Sequence, residues 1–286
     1  MKKRVLAGMM AAAMCLSLAA CGGSSAKPET SAATEAATAG ETAAAQTEAA
    51  AEKSDLDYIK EKGTLVVGIT DFAPMDYKNE AGEWIGFDAD MAKAFAAELG
   101  VEVEFIEIDW DNKIPELENY SIDCVWNGMT INDEVKGGME VSNPYCKNAQ
   151  VIVTKTENLE TFKDAESIKA ASVAVEAGSA GKSEAEAAGC ENIVEVKAQA
   201  DALMEVSSGL EDVAIIDLLM AVAMTGEGTG YSDLGYTAEL NAEEYGVGFR
   251  KGSDAAAALN DFFKKAYGDG TMTGIADTYE VFVIEQ

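Results

Sequence analysis

The 286-residue chain contains no histidine, and its only arginines are Arg4 and Arg250. The lack of histidine excludes Ser-His-Asp and Cys-His nucleophile systems and zinc sites that use histidine. An arginine fork for a carboxylate is excluded as well, unless Arg250 provides it. Basic residues are scarce, because 51 acidic residues stand against 21 basic ones and give a formal charge of -30 at pH 7. That balance argues against nucleic acid as a partner.

Cysteine is also sparse. Cys15 and Cys21 lie near the N-terminus, which leaves Cys124, Cys146 and Cys190 in the rest of the chain. Three cysteines cannot all pair internally, and although one disulfide is permitted outside the cell, the sequence favours no particular pairing. Cys124 lies in an apolar run, so we expect it to be buried as a small hydrophobic residue.

The N-terminus is typical of a bacterial lipoprotein signal. A charged start, residues 1–4, precedes an apolar stretch that ends at Ala20, and small residues come directly before Cys21. We therefore expect a signal peptide over residues 1–20 and a lipid on Cys21, which would anchor the exported protein to the outer face of the cytoplasmic membrane. The alternative is an ordinary signal peptide cut near Ala20, with Cys21 incidental.

A low-complexity segment follows the signal. Residues 24–53 are almost entirely Ala, Glu, Thr, Ser and Gln. Such a composition cannot recover its ordering entropy by packing. We expect residues 21–54 to comprise the lipidated cysteine and a flexible tether, and the remaining chain is long enough for two lobes with cores of their own.

Strand-like and helix-like segments alternate twice along this body. The first unit has strands at 64–70, 101–108 and 122–126 and helices at 88–99 and 114–118, followed by a turn at Asn127-Gly128 and a short helix. The second has an extended stretch at 149–154, a helix near 165–169, strands at 172–175, 192–196 and 213–217, and helices that end at 188 and span 200–207. This alternation predicts an α/β fold with two open, mostly parallel sheets, which bind ligands at the carboxyl ends of their strands.

The final segment has no sheet of its own to complete, so we expect it to return to the first lobe. It contains a strand at 245–249 and helices at 254–267 and 274–279. The predicted bounds are 55–147 plus 246–286 for lobe 1 and 148–245 for lobe 2, with hinges near 145–148 and 244–247. A chain that crosses out once and back once leaves a cleft between its lobes.

Short motifs follow one another along the body in a characteristic order. The most specific is Gly86-Phe87-Asp88-Ala89-Asp90-Met91-Ala92-Lys93; the others are Asp109-Trp110, Ile114-Pro115, Ile122-Asp123, Gly128-Met129-Thr130-Ile131, Ser142-Asn143-Pro144-Tyr145, Ala177-Gly178-Ser179, Asp217 and Tyr245-Gly246-Val247. Together they resemble the extracytoplasmic solute-binding proteins of polar amino-acid ABC importers. The resemblance implies a two-lobed periplasmic-binding-protein-like fold, with two open sheets joined by two crossover hinge strands.

The resemblance also implies a ligand site in the cleft. Phe72 and Trp110 would sandwich the ligand, Gly128 and Thr130 would hold its carboxylate end, and Asp217 would bind its ammonium. The other candidates are Asp71 and Tyr77 in the first loop, Asn127 in the turn, and Glu176 and Ser179 in the second lobe. Simpler alternatives exist: the aromatic residues could be core residues, Asp217 could cap a helix, Glu176 could be a solvated edge residue, and Gly128 and Thr130 could merely shape the turn.

One position departs from the family pattern. An arginine that clamps the ligand's α-carboxylate is usual five residues after the turn threonine, and here that position is Val135. The carboxylate is therefore bound by amides, hydroxyls, Asn132 and Lys136, or the ligand has no free α-carboxylate. Because three of the candidates are acidic, the sequence favours a ligand with cationic character.

The function that follows is capture of a small polar solute, an amino acid or a related amine-bearing compound, and its delivery to ABC permease subunits. We expect a monomer, no cofactor and no catalysis, with the lobes closing on the ligand. The alternative is a cyclohexadienyl dehydratase-like enzyme on the same fold, in which Glu176 or Asp217 would act as an acid in expelling water. The lack of histidine disfavours that alternative.

Overall fold

The computed structural model describes residues 54–286. The predicted signal peptide and Cys21 lie outside these residues, as does the predicted tether except for Ser54. In the described part, helices and strands alternate around two larger sheets and one two-stranded sheet. The predicted α/β class with open sheets is confirmed.

The first sheet organises what we call lobe 1. Its elements before the crossing are α1 (Asp55–Lys62), β1 (Thr64–Ile69), β2 (Tyr77–Lys78), β3 (Trp84–Ile85), α2 (Phe87–Leu99), β4 (Glu102–Glu107), α3 (Lys113–Glu118), β5 (Cys124–Thr130), α4 (Asp133–Gly138), β6 (Met139–Val141) and β7 (Cys146–Asn148). A 3₁₀ turn at Trp110–Asn112 leads into α3. β2 and β3 form a separate hairpin.

The second sheet organises lobe 2. Its elements are β8 (Gln150–Lys155), a 3₁₀ turn (Thr156–Asn158), β9 (Ser172–Glu176), α5 (Ala180–Ala188), β10 (Asn192–Val196), α6 (Gln199–Ser208), β11 (Val213–Asp217), α7 (Leu218–Met224) and β12 (Leu234–Glu239). The strand order is β10-β9-β11-β8-β12. The carboxyl ends of β9 and β11 therefore lie side by side at one edge of this sheet.

The chain then leaves the second sheet and joins the first. β13 (Glu243–Arg250) pairs with β5, β6 and β7, which gives the order β4-β1-β5-β13-β6. Two helices follow, α8 (Ala255–Gly268) and α9 (Thr271–Tyr279). Both contact α2, so they cover the first sheet rather than the second.

Each sheet is parallel on one side and antiparallel on the other, which differs from the mostly parallel sheets predicted. β1 runs parallel to β4 and β5, whereas β13 runs antiparallel to β5. In the second sheet β9 is parallel to β10 and β11, and β8 is antiparallel to β11. The connections explain this difference. A crossover helix imposes parallel pairing, whereas β8 and β13 enter their sheets from the other lobe without such a helix.

Two local predictions were wrong. Asn127 and Gly128 do not form a turn but lie within β5, where the pairing with β13 shifts register opposite them. A glycine with positive φ is compatible with such a bulge as well as with a turn, and sequence does not distinguish the two. The helix predicted near 165–169 is a series of turns.

The core of lobe 1 is rich in aromatic residues. Trp126 is fully buried and packs edge-on against Phe95 and Phe263, with ring centroids 6.4 and 5.7 Å apart. Cys124 is buried as expected, and all three cysteines of the described part are free thiols. Within residues 54–286, every helix is too short or too polar to cross a bilayer.

Candidate ligand-binding site

A small cavity lies between the two lobes, where the ends of β5, β9 and β11 meet the segment before α3. Its volume is about 20 Å³, which is about enough for one water molecule. Seven of the ten predicted ligand-binding residues line it: Trp110, Asn127, Gly128, Thr130, Glu176, Ser179 and Asp217. Further lining residues include Lys113, Asn132, Val135 and Gln199. Both sheets thus present polar side chains to one enclosed space.

Asp71, Phe72 and Tyr77 do not line this cavity. Asp71 is exposed, while Phe72 is buried and packs edge-on against Tyr245 with ring centroids 6.3 Å apart. Tyr77 lies on the hairpin and packs edge-on against Tyr279 at 6.4 Å. Phe72 has the core position that its alternative interpretation describes, and the ligand roles of the three residues stay predictions.

Gly128 brings the backbone of β5 close to the aromatic core. Its φ is +54°, and a Cβ added there would lie 2.4 Å from Cε1 of Phe72, so only glycine fits without displacement of the ring. Its N–H donates to Oδ2 of buried Asp88 at 2.6 Å, and the Tyr145 hydroxyl donates to the same oxygen at 2.7 Å. The Gly128 amide is therefore occupied by a protein carboxylate, and burial raises the pKa of that carboxyl, Asp88, to about 7.

The Asn127 side chain is saturated with hydrogen bonds. Its Oδ1 accepts from the backbone N–H and the hydroxyl of Thr70 at 3.0 and 2.9 Å. Its Nδ2 donates to the Thr70 carbonyl at 3.0 Å and to Asp76 Oδ2 at 2.8 Å. An amide side chain has two acceptor and two donor positions, and all four are used here. Asn127 therefore ties the ends of β1 and β5 together.

Trp110 and Lys113 form the lobe 1 wall of the cavity. Both are buried, and the Lys113 ammonium lies 5.1 Å from the centroid of the indole. Lys113 Nζ donates to the carbonyls of Trp110 at 3.2 Å and of Gly178, in lobe 2, at 3.0 Å. Burial lowers the pKa of Lys113, opposed by the charges of Glu134, Glu176 and Asp111.

Sequence reasoning missed Lys113. The available signal is its position four residues before Leu117, which places both on one face of α3. Leu117 is buried, as a residue on the core-facing side should be, and a lysine at the inward position of a helix next to Trp110 indicates a charge directed into a cleft.

Glu176 ends β9 with its carboxyl group inside the cavity. The residue is 2% exposed, so its interpretation as a solvated edge residue is wrong. Oε1 has no hydrogen-bond partner among the described residues. Burial raises the pKa of Glu176 to about 8, against the opposing effects of a hydrogen bond with Thr70, of the Lys113 charge and of a hydrogen bond with Gln199.

Asp217 ends β11 and is held by three side chains. Oδ1 accepts from Asn148 Nδ2 and from the Tyr245 hydroxyl, each at 2.5 Å, and Oδ2 accepts from Gln199 Nε2. The residue precedes α7, but its side chain makes no capping bond, so the helix-cap interpretation is wrong. Burial, aided by the charge of Glu243, holds the pKa of Asp217 well above its usual range.

Two hydroxyl groups complete the polar lining. Ser179 Oγ accepts from Lys182 N at 3.1 Å and caps α5, so its hydrogen is left to donate elsewhere. Thr130 is partly buried, and its hydroxyl makes no hydrogen bond within the described part of the chain. Both groups are therefore free to donate to a molecule in the cavity.

The two lobes touch around the cavity. A Cβ added to Gly178, whose φ is +69°, would lie 2.7 Å from Cα and Cβ of Asp111 in lobe 1. Lys197 Nζ lies 3.8 Å from Asp109 Oδ1, which is an exposed pair and contributes little. The cleft is therefore closed, with the Gly178 turn packed directly on the backbone before α3.

The chain is similar to proteins of known function over most of its length. Bacterial extracellular solute-binding proteins, family 3, match residues 65–281. The L-cystine-binding protein TcyJ of Escherichia coli is 29% identical over 237 residues, which cover 80% of this chain and 87% of TcyJ. The cyclohexadienyl dehydratase of Pseudomonas aeruginosa is 32% identical over 119 residues, but these cover 41% of this chain and 44% of the enzyme.

Solved structures show the same relationship. A crystal structure of a mutant of ArgBP from T. maritima matches with a TM-score of 0.74 and 31% sequence identity, over 79% of this chain and 98% of that chain. An ancestral amino acid-binding protein described as a precursor of cyclohexadienyl dehydratase matches with a TM-score of 0.72 and 33% identity, over 79% of this chain and 99% of that chain. The family match runs from Leu65 in β1 to Val281, just after α9, and includes every element that builds the cavity. The chain therefore belongs to the bacterial extracellular solute-binding proteins, family 3.

Proposed function

We propose that this protein captures an amino acid between its lobes and delivers it to the permease of an ABC importer. The observation that carries the proposal is the enclosed cavity, in which an indole and an ammonium from lobe 1 face two carboxyl groups from lobe 2. An amino acid needs partners for both charges and an apolar surface for its side chain, and these groups supply them. The relatives described as binding L-cystine and arginine support the ligand class.

In this proposal Asp217 binds the ligand's ammonium. Its Oδ2 accepts one hydrogen bond from the protein, so one acceptor position remains for the ligand. Trp110 provides the apolar wall, and the Thr130 and Ser179 hydroxyls donate to the ligand. Asn127 and Gly128 contribute through the shape of β5 rather than through free polar groups.

Binding requires the lobes to separate and close again. A cavity of about 20 Å³ is too small for any amino acid. The motion is expected at the links between β7 and β8 and between β12 and β13, where the chain passes from one sheet to the other. Ligand contacts made by both lobes stabilise the closed state, and the closed state is the form presented to the permease.

The Gly178 contact tests this closing mechanism. In Gly178→Ala the added methyl group collides with Asp111 when the lobes close, so we expect the affinity for an amino acid to fall at least about 10-fold. Gly189→Ala is the matched control, because Gly189 has a similar φ of +76° and its nearest neighbour would be Lys169 Cε at 3.9 Å. In both variants an alanine takes a left-handed backbone conformation, which costs about 1 kcal/mol. The affinity of the control should stay within about 2-fold of the parent's, a difference of about 0.4 kcal/mol.

The measurement is isothermal titration calorimetry of the full chain against the twenty proteinogenic amino acids and L-cystine. Heats of binding from at least one of them are expected for the parent chain. If none binds, the proposed function is wrong. If Gly178→Ala binds as tightly as the parent, the closing mechanism is wrong while the ligand class stands.

Export and anchoring belong to the same proposal. The sequence that ends at Cys21 supports a lipid anchor on the outer face of the cytoplasmic membrane, with residues 21–54 as the tether and a monomer as the working unit. A tether would keep the binding protein at high effective concentration near the permease. Cell fractionation tests it, since Cys21→Ser should move the protein from the membrane fraction to the soluble fraction.

A dehydratase function is the second candidate, and Glu176 is the observation that favours it. With a pKa of about 8, its carboxyl group is mostly protonated at neutral pH and is positioned in the cavity like a general acid. The partial similarity to the Pseudomonas enzyme points the same way. Incubation with prephenate or arogenate decides it, because turnover by the parent chain that Glu176→Gln abolishes would establish catalysis, and no turnover would refute it.

A further inference from the structure

One cationic side chain lines the cavity. Of the lysines and arginines in residues 54–286, Lys113 alone lines it, and the residue is 4% exposed. Arg250 is not available to a ligand in the cavity, because its guanidinium is bound to Asp55 and Asp123. Lys136 is exposed on α4 and lines other surface pockets instead.

Within residues 54–286, the hydrogen-bond partners of Lys113 are all neutral. Its ammonium group carries three donors, and two of them reach the carbonyls of Trp110 and Gly178. No carboxylate of the described chain lies within ion-pair distance; the acids around it act through space. A buried ammonium without an anionic partner is costly, so a site that retains one is suited to receive an anion.

The charges are divided between the walls of the cavity. Lobe 1 supplies the ammonium of Lys113, and lobe 2 supplies the carboxyl groups of Glu176 and Asp217. Oε1 of Glu176 is buried and unpartnered, which is a second polar group directed at a ligand. A zwitterion fits this division when its carboxylate faces lobe 1 and its ammonium faces lobe 2.

Val135 lies in the same cavity wall as Lys113. It is buried and lines the cavity from α4, at the position where the family resemblance implies an arginine. Valine carries no charge, but Lys113 of α3 provides a positive charge in the same wall. The positive charge of this site thus comes from a different helix.

We infer that Lys113 binds the ligand's carboxylate and makes a free α-carboxylate a requirement for tight binding. On entry of the ligand, the ammonium exchanges its bond to the Gly178 carbonyl for a charge-assisted bond to the carboxylate. The inference rests on the proposed function and specifies its ligand as a zwitterion. The preference for a ligand of cationic character, predicted from three acidic residues, loses one of its supports because Asp71 lies outside the cavity.

The test compares an acid with its amide. The probes are the tightest-binding amino acid of the calorimetric panel and its α-carboxamide, titrated into the full chain of the parent, Lys113→Met and Lys113→Arg. We expect Lys113→Met to weaken the binding of the acid roughly 30-fold or more, equivalent to about 2 kcal/mol. The binding of the amide should weaken by less than about 3-fold. Lys113→Arg keeps a cation and should retain the preference for the acid.

Lys136→Met is the matched control, because it removes a nearby lysine that lies outside the cavity. It should leave the affinities for both probes within 2-fold of the parent, a change of about 0.4 kcal/mol. Circular dichroism checks that each variant is folded, and Lys113→Gln replaces Lys113→Met if the latter is not.

Three outcomes would overturn the inference. Equal losses for acid and amide would mean that Lys113 only holds the lobes together through Gly178, and an unchanged acid affinity would mean that it does not contact the ligand. A larger effect of Lys136→Met than of Lys113→Met would assign the carboxylate to Lys136. In each case the parent still binds an amino acid and the proposed function stands, whereas a parent that binds no member of the panel refutes both.

Discussion

Replacement of Asp217 by asparagine is expected to lower the affinity for the bound amino acid by roughly 100-fold, the range measured when one partner of a buried charge pair is removed. Asparagine keeps the size of the side chain but removes the negative charge that pairs with the ligand's ammonium. It also places an N–H₂ group where Oδ2 accepts from Gln199 Nε2, so one internal hydrogen bond is lost or rearranged. Calorimetry with the amino acid that binds the parent chain gives the change in Kd directly.

Glu243→Gln is the control for this experiment. Glu243 belongs to the same polar network, since its Oε1 accepts from Asn148 Nδ2 at 2.6 Å and from Gln150 Nε2 at 2.9 Å, but it does not line the cavity. Its amide oxygen can accept the same two bonds, although the bond from Asn241 Nδ2 to Oε2 is lost outside the cavity. Binding should therefore change by less than about 3-fold, under 1 kcal/mol. Similar losses in both variants would indicate that the network is needed as a whole and that Asp217 has no specific role toward the ammonium.

Replacement of Arg250 by methionine is expected to lower the free energy of unfolding by about 3 kcal/mol or more, as for other buried pairs that lose one partner. Arg250 bridges two carboxylates, Asp55 at 2.6 Å and Asp123 at 3.1 Å, and donates to the Ile122 carbonyl at 2.7 Å. Asp123 is fully buried, and after the substitution it keeps Lys62 as its cationic partner. Urea denaturation followed by circular dichroism measures the loss.

The neighbouring lysine provides the control. Lys251 is exposed, and its partners among the described residues are two backbone carbonyls, those of Lys136 and Met139. Lys251→Met should therefore change the free energy of unfolding by less than about 1 kcal/mol. Ligand affinity of folded Arg250→Met should stay near that of the parent, since Arg250 lies outside the cavity. A stable Arg250→Met variant with weakened binding would contradict its assignment as a structural residue.

The elements that the sequence predicted best are those with strong local signals. The strands predicted at 192–196 and 213–217 have these bounds in β10 and β11, and the helix predicted at 88–99 corresponds to α2 (Phe87–Leu99). Alternating or helically spaced apolar residues between clear turn residues determine such segments locally. The helix predicted near 165–169 is a series of turns although Ile168 is buried in the core of lobe 2, because a pattern of five residues is too short to form a stable helix.

The site was predicted in part. Trp110, Glu176 and Asp217 line the cavity, and their positions at or just after the ends of strands made that foreseeable. The ligand role of Phe72 stays a prediction, and the sequence did not show that the ring packs against the backbone of β5 at Gly128. Lys113 was not foreseen, since its environment depends on a contact with Gly178, 65 residues away in the other lobe.

The sequence by itself determined the family, most of the order of strands and helices, and the exclusion of histidine from the chemistry. These properties depend on residue identity and on spacing within short segments, which an extended chain already contains. The tertiary structure decided which polar groups share the cavity and which are already satisfied. That decision depends on burial and on contacts between the lobes, as when one lysine of α3 meets lobe 2 while the Asn127 side chain is saturated by Thr70 and Asp76.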